Sequence, residues 1–225
     1  MFVIYYAAMI SHRGLIRIFP NPSPDLSASE IAARYAENLS AIRTGFILSL
    51  ISVVLYLPWS SLLCSQMLRI EGQFSSMAYL QLLGGGLTVM VVSFSAFFWV
   101  AAAFRPEQAP EITLLLSDLG WLCIDLQYAC TTLQMFAAAL VGLSDKRATP
   151  LFPNWFCFLT MFCGLSFIPA SLTGVLKTGP FAWDGLLSYY IPYACWLVWY
   201  GIASCYMIKE VNSRKLEANS NSVPA

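Results

Sequence analysis

The chain has 225 residues, of which 58% are hydrophobic and 11% are charged, and its 12 basic and 12 acidic side chains give a formal net charge of zero. Soluble domains carry about 25% charged residues, so the composition favours lipid as the surrounding solvent. A balanced charge gives no indication of a nucleic-acid partner or of electrostatic binding to a membrane surface.

The seven cysteines lie almost entirely inside apolar runs and form no CxxC pair, which is typical of packing residues. The single histidine, His12, lies outside the apolar region. The residue types therefore exclude a histidine-ligated metal centre inside the membrane, and we expect no cofactor.

Residues 1–43 are predicted to form an N-terminal segment. The first ten residues, Met1 to Ile10, are apolar but too short to span a bilayer. A proline-rich linker at 20–24 precedes Ser27 and Glu30, whose spacing predicts a helical capping box. Residues 28–43 then carry an amphipathic stripe, formed by Ile31, Tyr35, Leu39 and Ile42. We interpret this helix as lying on the membrane surface, and the alternative is a soluble helix packed on loops.

The fold class predicted for the chain is all-α: an integral membrane bundle of five transmembrane helices with an N-terminal amphipathic interfacial helix. Residues 44–208 form the transmembrane domain, and 209–225 are predicted to be a disordered polar tail. Each span is long enough to cross a core of roughly 30 Å at about 1.5 Å per residue. The predicted spans are 44–64, 78–104, 112–143, 151–176 and 186–208.

The third span carries the most informative pair of residues, Asp118 and Asp125. Because they are seven residues apart, both carboxyl groups fall on one face of a helix. A carboxylate in hydrocarbon is costly, so both are candidate catalytic residues. The same face carries further polar or aromatic residues, namely Trp121, Tyr128 and Thr132. Gln134 lies on roughly the opposite side, which predicts a central position for this span in the bundle.

Three interpretations of the aspartate pair remain open. The two acids line a cavity in which one donates a proton, or they form a structural lock with Arg105, Lys146 or tyrosine hydroxyls. In the third interpretation Asp118 caps an interfacial turn and only Asp125 is buried.

Glycines and a proline mark two other spans. Gly84 to Gly86 in the second span, with Thr88, form a small-residue face that favours close helix packing over a kink or a ligand-facing opening. Pro169 in the fourth span removes one helical hydrogen bond and predicts a kink.

The connection between the fourth and fifth spans, residues 177–185, ends near Asp184, which either caps the fifth helix or lies at the mouth of a site. The fifth span is aromatic, and one of its faces carries Tyr189, Tyr193, Trp196 and Tyr200. Such a face either packs in the bundle or binds a lipophilic or cationic ligand. The predicted substrate-binding residues are therefore Trp121, Tyr128, Thr132, Asp184, Tyr189, Tyr193 and Trp196.

Three short motifs, at 104–107, 116–121 and 177–185, together with the proline-rich segment, resemble a group of small, uncharacterised bacterial membrane proteins. The resemblance covers most of the chain from Pro20 to Ile208. The resemblance implies a multi-pass protein of the bacterial inner membrane, and it implies no particular activity.

Three functions are compatible with these features. The first is binding or transport of a small lipophilic or cationic molecule in an acidic and aromatic cavity. The second is an intramembrane enzyme that uses the paired acids for proton-initiated cyclisation or isomerisation of an isoprenoid-like substrate. The third is a non-catalytic membrane subunit. Membrane lipids are the expected partners. The orientation in the membrane stays open, because basic residues divide evenly between the two sides. The oligomeric state stays open as well.

Overall fold

The computed structural model describes the backbone of residues 21–221 and the side chains of residues 21–215. The predictions made for Met1 to Ile10 and for His12 lie outside the described residues. All regular structure within 21–221 is helical. In chain order the elements are α1 (Ala28–Glu37), α2 (Leu39–Val53), α3 (Tyr56–Glu71), α4 (Ser76–Phe104), α5 (Pro110–Leu126), α6 (Ala129–Ser144), α7 (Asn154–Leu165), a 3₁₀ helix (Ile168–Gly174), a π-helical turn (Leu186–Tyr190) and α8 (Ile191–Asn221).

Five helical stretches are long and apolar enough to cross a membrane, so the chain is a multi-pass membrane protein and the five predicted spans are confirmed. Their bounds are Leu39–Glu71, Ser76–Phe104, Pro110–Ser144, Asn154–Gly174 and Leu186–Lys215. The first span is longer than predicted, because it begins at Leu39 and continues through α3 to Glu71. Pro58, which lacks a backbone N–H, lies near the start of α3, so the first span breaks between α2 and α3.

The predicted capping box at the start of α1 is present. The Ser27 side chain accepts a hydrogen bond from the Glu30 N–H, and Glu30 accepts one from the Ser27 N–H. The helix does not continue to residue 43 as predicted, because it ends at Glu37. The Asn38 side chain donates to the Arg34 carbonyl oxygen and so competes with the helical hydrogen bonds. Ile31 and Tyr35 are buried, and the Tyr35 hydroxyl donates to Ser117 of α5 across 3.4 Å.

Glycines allow the second span to pack closely against its neighbours. A Cβ atom at Gly84 would lie 2.7 Å from the Cys130 carbonyl oxygen, and one at Gly85 would overlap the Ser60 hydroxyl. One helical turn after Gly84, the hydroxyl groups of Thr88 and Thr131 are 2.8 Å apart. The packing role predicted for this glycine face is therefore confirmed for Gly84 and Gly85, whereas Gly86 has open space around it.

The third span, α5 and α6, contacts each of the other four. Its helices pack on α4, α3 and α7. The fifth span reaches it through the Tyr193 hydroxyl, which donates to the Ile124 carbonyl oxygen across 3.5 Å. This arrangement agrees with the interior position that its polar residues predict.

The last helix, α8, continues to Asn221, so the tail predicted to be disordered from residue 209 is helical as far as that residue. The residues after 208 include good helix formers, and Glu210 pairs with Arg214 at the spacing that favours helix.

The connection 177–185 is hydrogen-bonded to residues 21 and 22, at the start of the described chain. The Trp183 indole N–H donates to the Pro22 carbonyl oxygen across 2.7 Å, and the Asn21 amide donates to the Trp183 carbonyl oxygen across 3.0 Å.

Candidate functional site within the membrane

Asp125 is the most unusual side chain of the described chain. It lies near the end of α5, within the third span, and is only 1% exposed. Neither carboxyl oxygen has a hydrogen-bond partner among the described residues. Buried polar groups are nearly always paired, and an unpaired ionised carboxylate away from water is far more costly than a neutral one. The site therefore favours either a neutral carboxyl group or a carboxylate that has acquired a cation.

Aromatic rings surround the same stretch of α5. Trp121, one helical turn before Asp125, is buried with its ring 4.7 Å from that of Trp99 and 5.8 Å from that of Tyr189. The Tyr189 ring is in turn 4.4 Å from that of Tyr193. Trp121, Tyr189 and Tyr193 were predicted as binding residues from two different spans, and the fold brings them together on α5. The Tyr193 hydroxyl donates to the carbonyl oxygen of Ile124, the residue before Asp125.

Tyr128 and Thr132 continue the same face into α6 and reach the fourth span. The hydroxyl groups of Tyr128 and Ser171 are 2.6 Å apart, and Thr132 donates to the Gly164 carbonyl oxygen across 3.0 Å. These two predicted residues are therefore engaged in helix-to-helix hydrogen bonds, which fix the fourth span on one side of Asp125.

Irregular helical backbone is concentrated around this part of the bundle. The α-helix of the third span is interrupted by a turn at 127–128, directly after Asp125 and Leu126. A Cβ atom added at Gly174, in the 3₁₀ helix, would contact Leu126 at 3.5 Å. The 3₁₀ helix contains Pro169, so the predicted kink takes the form of a change of helix type.

The π-helical turn Leu186–Tyr190 packs on this 3₁₀ helix. The buried Ser188 hydroxyl donates to the carbonyl oxygens of Phe181 and Pro169, at 2.9 and 3.2 Å. Pro192 has no N–H for the carbonyl group four residues before it, which explains why the regular helix begins only after the turn. Irregular helical turns often accompany functional sites. Here the 3₁₀ helix packs on α5, which carries Asp125, and the π-helical turn reaches α5 through the Tyr189 and Trp121 rings.

Asp118 differs from Asp125, because it is only half-buried. Neither aspartate forms an ion pair or a hydrogen bond with a described residue, so the predicted lock with Arg105 or Lys146 is wrong. The lock with a tyrosine hydroxyl stays a prediction, since Tyr5 and Tyr6 lie outside the described residues. Asp118 lies more than two turns after Pro110, the first residue of α5, so it does not cap that helix. The structure thus buries Asp125 and leaves Asp118 half-buried, and the interpretation that the two acids line a cavity stays a prediction.

Asp184 is partly exposed on the connection 177–185. The residue that precedes the first turn of the fifth span is Gly185, and no side chain caps that turn. The predicted capping role of Asp184 is therefore wrong, because the chain makes its turn one residue later, through the Gly185 to Ala182 hydrogen bond of 2.7 Å.

Trp196 belongs to a second aromatic cluster rather than to the group near Asp125. Its ring is 5.5 Å from Tyr200 and 5.8 Å from Tyr56. Its indole N–H is buried and has no partner in the part of the chain that the structure describes. The aromatic face predicted for the fifth span is thus divided, with Tyr189 and Tyr193 towards α5 and Trp196 and Tyr200 towards α3.

A buried network beside this second cluster was missed by the sequence analysis. The Tyr56 hydroxyl donates to the side-chain oxygen Oε1 of Gln134 across 3.0 Å. The side-chain amide groups of Gln81 and Gln134 donate to the Ser60 hydroxyl at 2.9 and 3.4 Å. Polar residues inside three apolar spans were the available signal. The network joins the first three spans. Its hydrogen bonds between helices are therefore explained by helix packing, without a ligand.

Within residues 21–215, no three His, Cys, Asp or Glu side chains come together as a metal ion would require. Comparisons of the chain with protein families, with curated proteins and with solved structures found no match. The function is therefore argued from Asp125 and the side chains around it.

Proposed function

We propose that this multi-pass membrane protein binds and transports a small lipophilic or cationic molecule at a site centred on Asp125. The observation that supports the proposal is the carboxyl group itself, which is 1% exposed within a membrane span and has no partner among the described residues. Intramembrane acids are rare, and they commonly mark ion pathways, proton relays or ligand counter-ions.

The physical basis is that Asp125 has two acceptable states. It carries a proton when the site is empty, or it is ionised beside a bound cation, because an ionised and unpaired carboxylate is strongly disfavoured there. Binding of a cation then releases a proton, and binding of a proton releases the cation. This exchange is the elementary step of proton-coupled transport.

The surroundings support a lipophilic cation as the ligand class. The Trp121, Tyr189 and Tyr193 rings supply π faces, which attract organic cations when water is excluded. The turn at 127–128 and the two irregular helical turns supply segments that can rearrange to admit a ligand.

The resemblance to small bacterial membrane proteins supports the bacterial inner membrane as the location. We also assign α1 to the membrane interface, since it directly precedes the first span and exposes Glu30 and Glu37 while burying Ile31 and Tyr35 against the bundle.

Binding of tetraphenylphosphonium to the purified protein tests the site, with Asp125→Asn as the key variant. Asparagine keeps the size of the side chain and removes its charge, so we expect binding to fall by at least ten-fold, about 1.4 kcal/mol. Asp118→Asn is the matched control and should have a weaker effect, since Asp118 is half-buried. Binding should also release protons in a weakly buffered solution.

Stability provides a second measurement on the same site. Asp125→Leu should insert normally and raise the free energy of unfolding by about 1 to 3 kcal/mol, because it removes an unsatisfied polar group from an apolar environment. Transport of the probe into vesicles should be lost in the same variant.

If Asp125→Asn binds the probe as tightly as the unsubstituted protein does, Asp125 is not the binding site. The hypothesis of a non-catalytic subunit then replaces the hypothesis of transport.

A further inference from the structure

A second place in the molecule has the composition of a ligand site, and it lies away from Asp125. A cavity of about 590 Å³ opens between the connection that follows α6 and the last helix, α8. We call it the basic pocket. Its lining includes Arg147 and Thr149 from the connection and Tyr206, Lys209, Glu210 and Arg214 from α8. Its volume is within the range of about 300 to 1,000 Å³ that is common for small-molecule sites.

The pocket lies where three spans reach one side of the membrane. The third span ends at Ser144, the fourth begins at Asn154, and the fifth passes through Tyr206 to Lys215. Trp155 and Ile208 are exposed beside it, on α7 and α8. A tryptophan and basic residues at the ends of spans are typical of the level of lipid headgroups.

The charges of the pocket are held in a fixed arrangement. Arg147 donates to both carboxylate oxygens of Asp145, at 2.8 and 2.7 Å, and its third nitrogen donates to Glu210 at 3.3 Å. The same oxygen of Glu210 accepts hydrogen bonds from Arg214. Glu210 therefore holds two guanidinium groups next to each other, and neither has to be ordered when a ligand arrives.

Positive charge remains after these pairs are formed. Arg147, Lys209 and Arg214 carry three positive charges, against the two negative charges of Asp145 and Glu210. Lys209 is exposed and forms no ion pair with the described residues, so its ammonium group is available to an anion. Guanidinium and ammonium groups are the usual partners of phosphate oxygens in proteins.

We propose that the basic pocket binds the phosphate of an anionic membrane lipid, with the headgroup between Arg147, Lys209 and Arg214. The acyl chains then lie along the exposed apolar side chains of α7 and α8, including Phe158 and Ile208. Basic pockets between transmembrane helices are recognised headgroup sites. The lipid would join the third-to-fourth connection to the last helix.

Lipid binding by the purified full chain tests the proposal, with native mass spectrometry as the measurement. We expect phosphatidylglycerol to bind more tightly than phosphatidylcholine. Lys209→Gln should weaken phosphatidylglycerol binding by roughly five-fold, since one cation near the surface contributes about 1 kcal/mol. Lys209 is exposed and has no ion-pair partner among residues 21–215, so this variant should fold normally. The matched control is Arg69→Gln, on the same side of the membrane and outside the pocket.

Two further arms decide the nature of the ligand. Inorganic phosphate at millimolar concentration should neither bind detectably nor displace phosphatidylglycerol, because it lacks the apolar contacts. If phosphate binds as well as the lipid, the site serves a soluble anion and the proposal is overturned. Equal binding of phosphatidylcholine, or equal losses in Lys209→Gln and Arg69→Gln, overturns it as well.

Discussion

One carboxyl group, that of Asp145, organises the turn that follows the third span. Its side chain is fully buried, and it accepts hydrogen bonds from the Arg147 side chain and backbone and from the Leu151 N–H at 2.8 Å. Burial raises the pKa of Asp145, but these hydrogen bonds together lower it more, so the folded-state pKa lies below its usual value. The folded chain thus stabilises the ionised form.

The sign of this pKa shift predicts how stability depends on pH. A depressed carboxyl pKa contributes stability that is present above the unfolded pKa of about 3.9 and is lost as pH falls through the folded value. Asp145→Asn should lower the free energy of unfolding by about 1 to 2 kcal/mol at pH 7. Its difference from the unsubstituted protein should shrink below about pH 4. Thermal unfolding in detergent at several pH values measures both effects, with exposed Asp25→Asn as the control.

At the scale of single residues, the sequence was enough to identify Asp125, because a carboxyl group inside an apolar run is visible without coordinates. It was not enough to show that Asp125 has no hydrogen-bond partner within residues 21–215 or that Asp118 is only half-buried. Both properties depend on the rotation of α5 against its neighbours. The same reason explains why Trp196 was assigned to the wrong group of aromatic residues, and why Tyr56, Ser60 and Gln81 were missed.

At the scale of helices, the glycines of α4 offer a comparison within one turn. Gly84→Ala would place a methyl group 2.7 Å from the Cys130 carbonyl oxygen and 2.9 Å from the Gln134 Cβ, whereas Gly86 has nothing within 4 Å. We expect Gly84→Ala to lower the free energy of unfolding by about 1 to 3 kcal/mol, because backbone must move. Gly86→Ala should leave it unchanged or raise it by up to about 1 kcal/mol.

The free energies of unfolding of the two alanine variants, measured in the same detergent, test this prediction. Equal stability of the two would mean that α4 and α6 are not as close as described. A loss confined to Gly86→Ala would place the packing face of α4 on its other side.

Helix existence was predictable from apolar length, and helix boundaries were less so. The break between α2 and α3 follows from Pro58, which lies near the far end of the predicted first span, 44–64. The structure continues the span to Glu71 and puts Pro58 well inside it. The helical continuation to Asn221 was missed because polar composition alone was taken as a sign of disorder.

For the whole molecule, five crossings place alternate connections on opposite sides of the membrane. Residues 72–75 and 145–153 share one side, and 105–109 and 175–185 share the other. The 3.4 Å hydrogen bond from Ser144 to Glu71 agrees with the first pairing. The bond of 2.9 Å from Arg43 to the Ala103 carbonyl oxygen agrees with the same alternation at the opposite end.

Labelling of introduced cysteines tests this arrangement. Gln73→Cys and Lys146→Cys should react with a membrane-impermeant maleimide from one side of intact vesicles, and Thr178→Cys only from the other side, since all three positions are exposed in connections. The unsubstituted chain, which has its own seven cysteines, gives the background. Labelling of Gln73→Cys and Thr178→Cys from the same side would contradict the five-span topology.

The hydrogen bonds between Trp183 and residues 21 and 22 have a consequence for biosynthesis. The partners are separated by 161 and 162 positions in the chain, so these hydrogen bonds cannot form while the ribosome is still making the first four spans. Residues 21 and 22 can bind Trp183 only after the connection 177–185 has been synthesised. Completion of the bundle is therefore coupled to synthesis of the connection 177–185, and a nascent chain released before that point would lack these two hydrogen bonds.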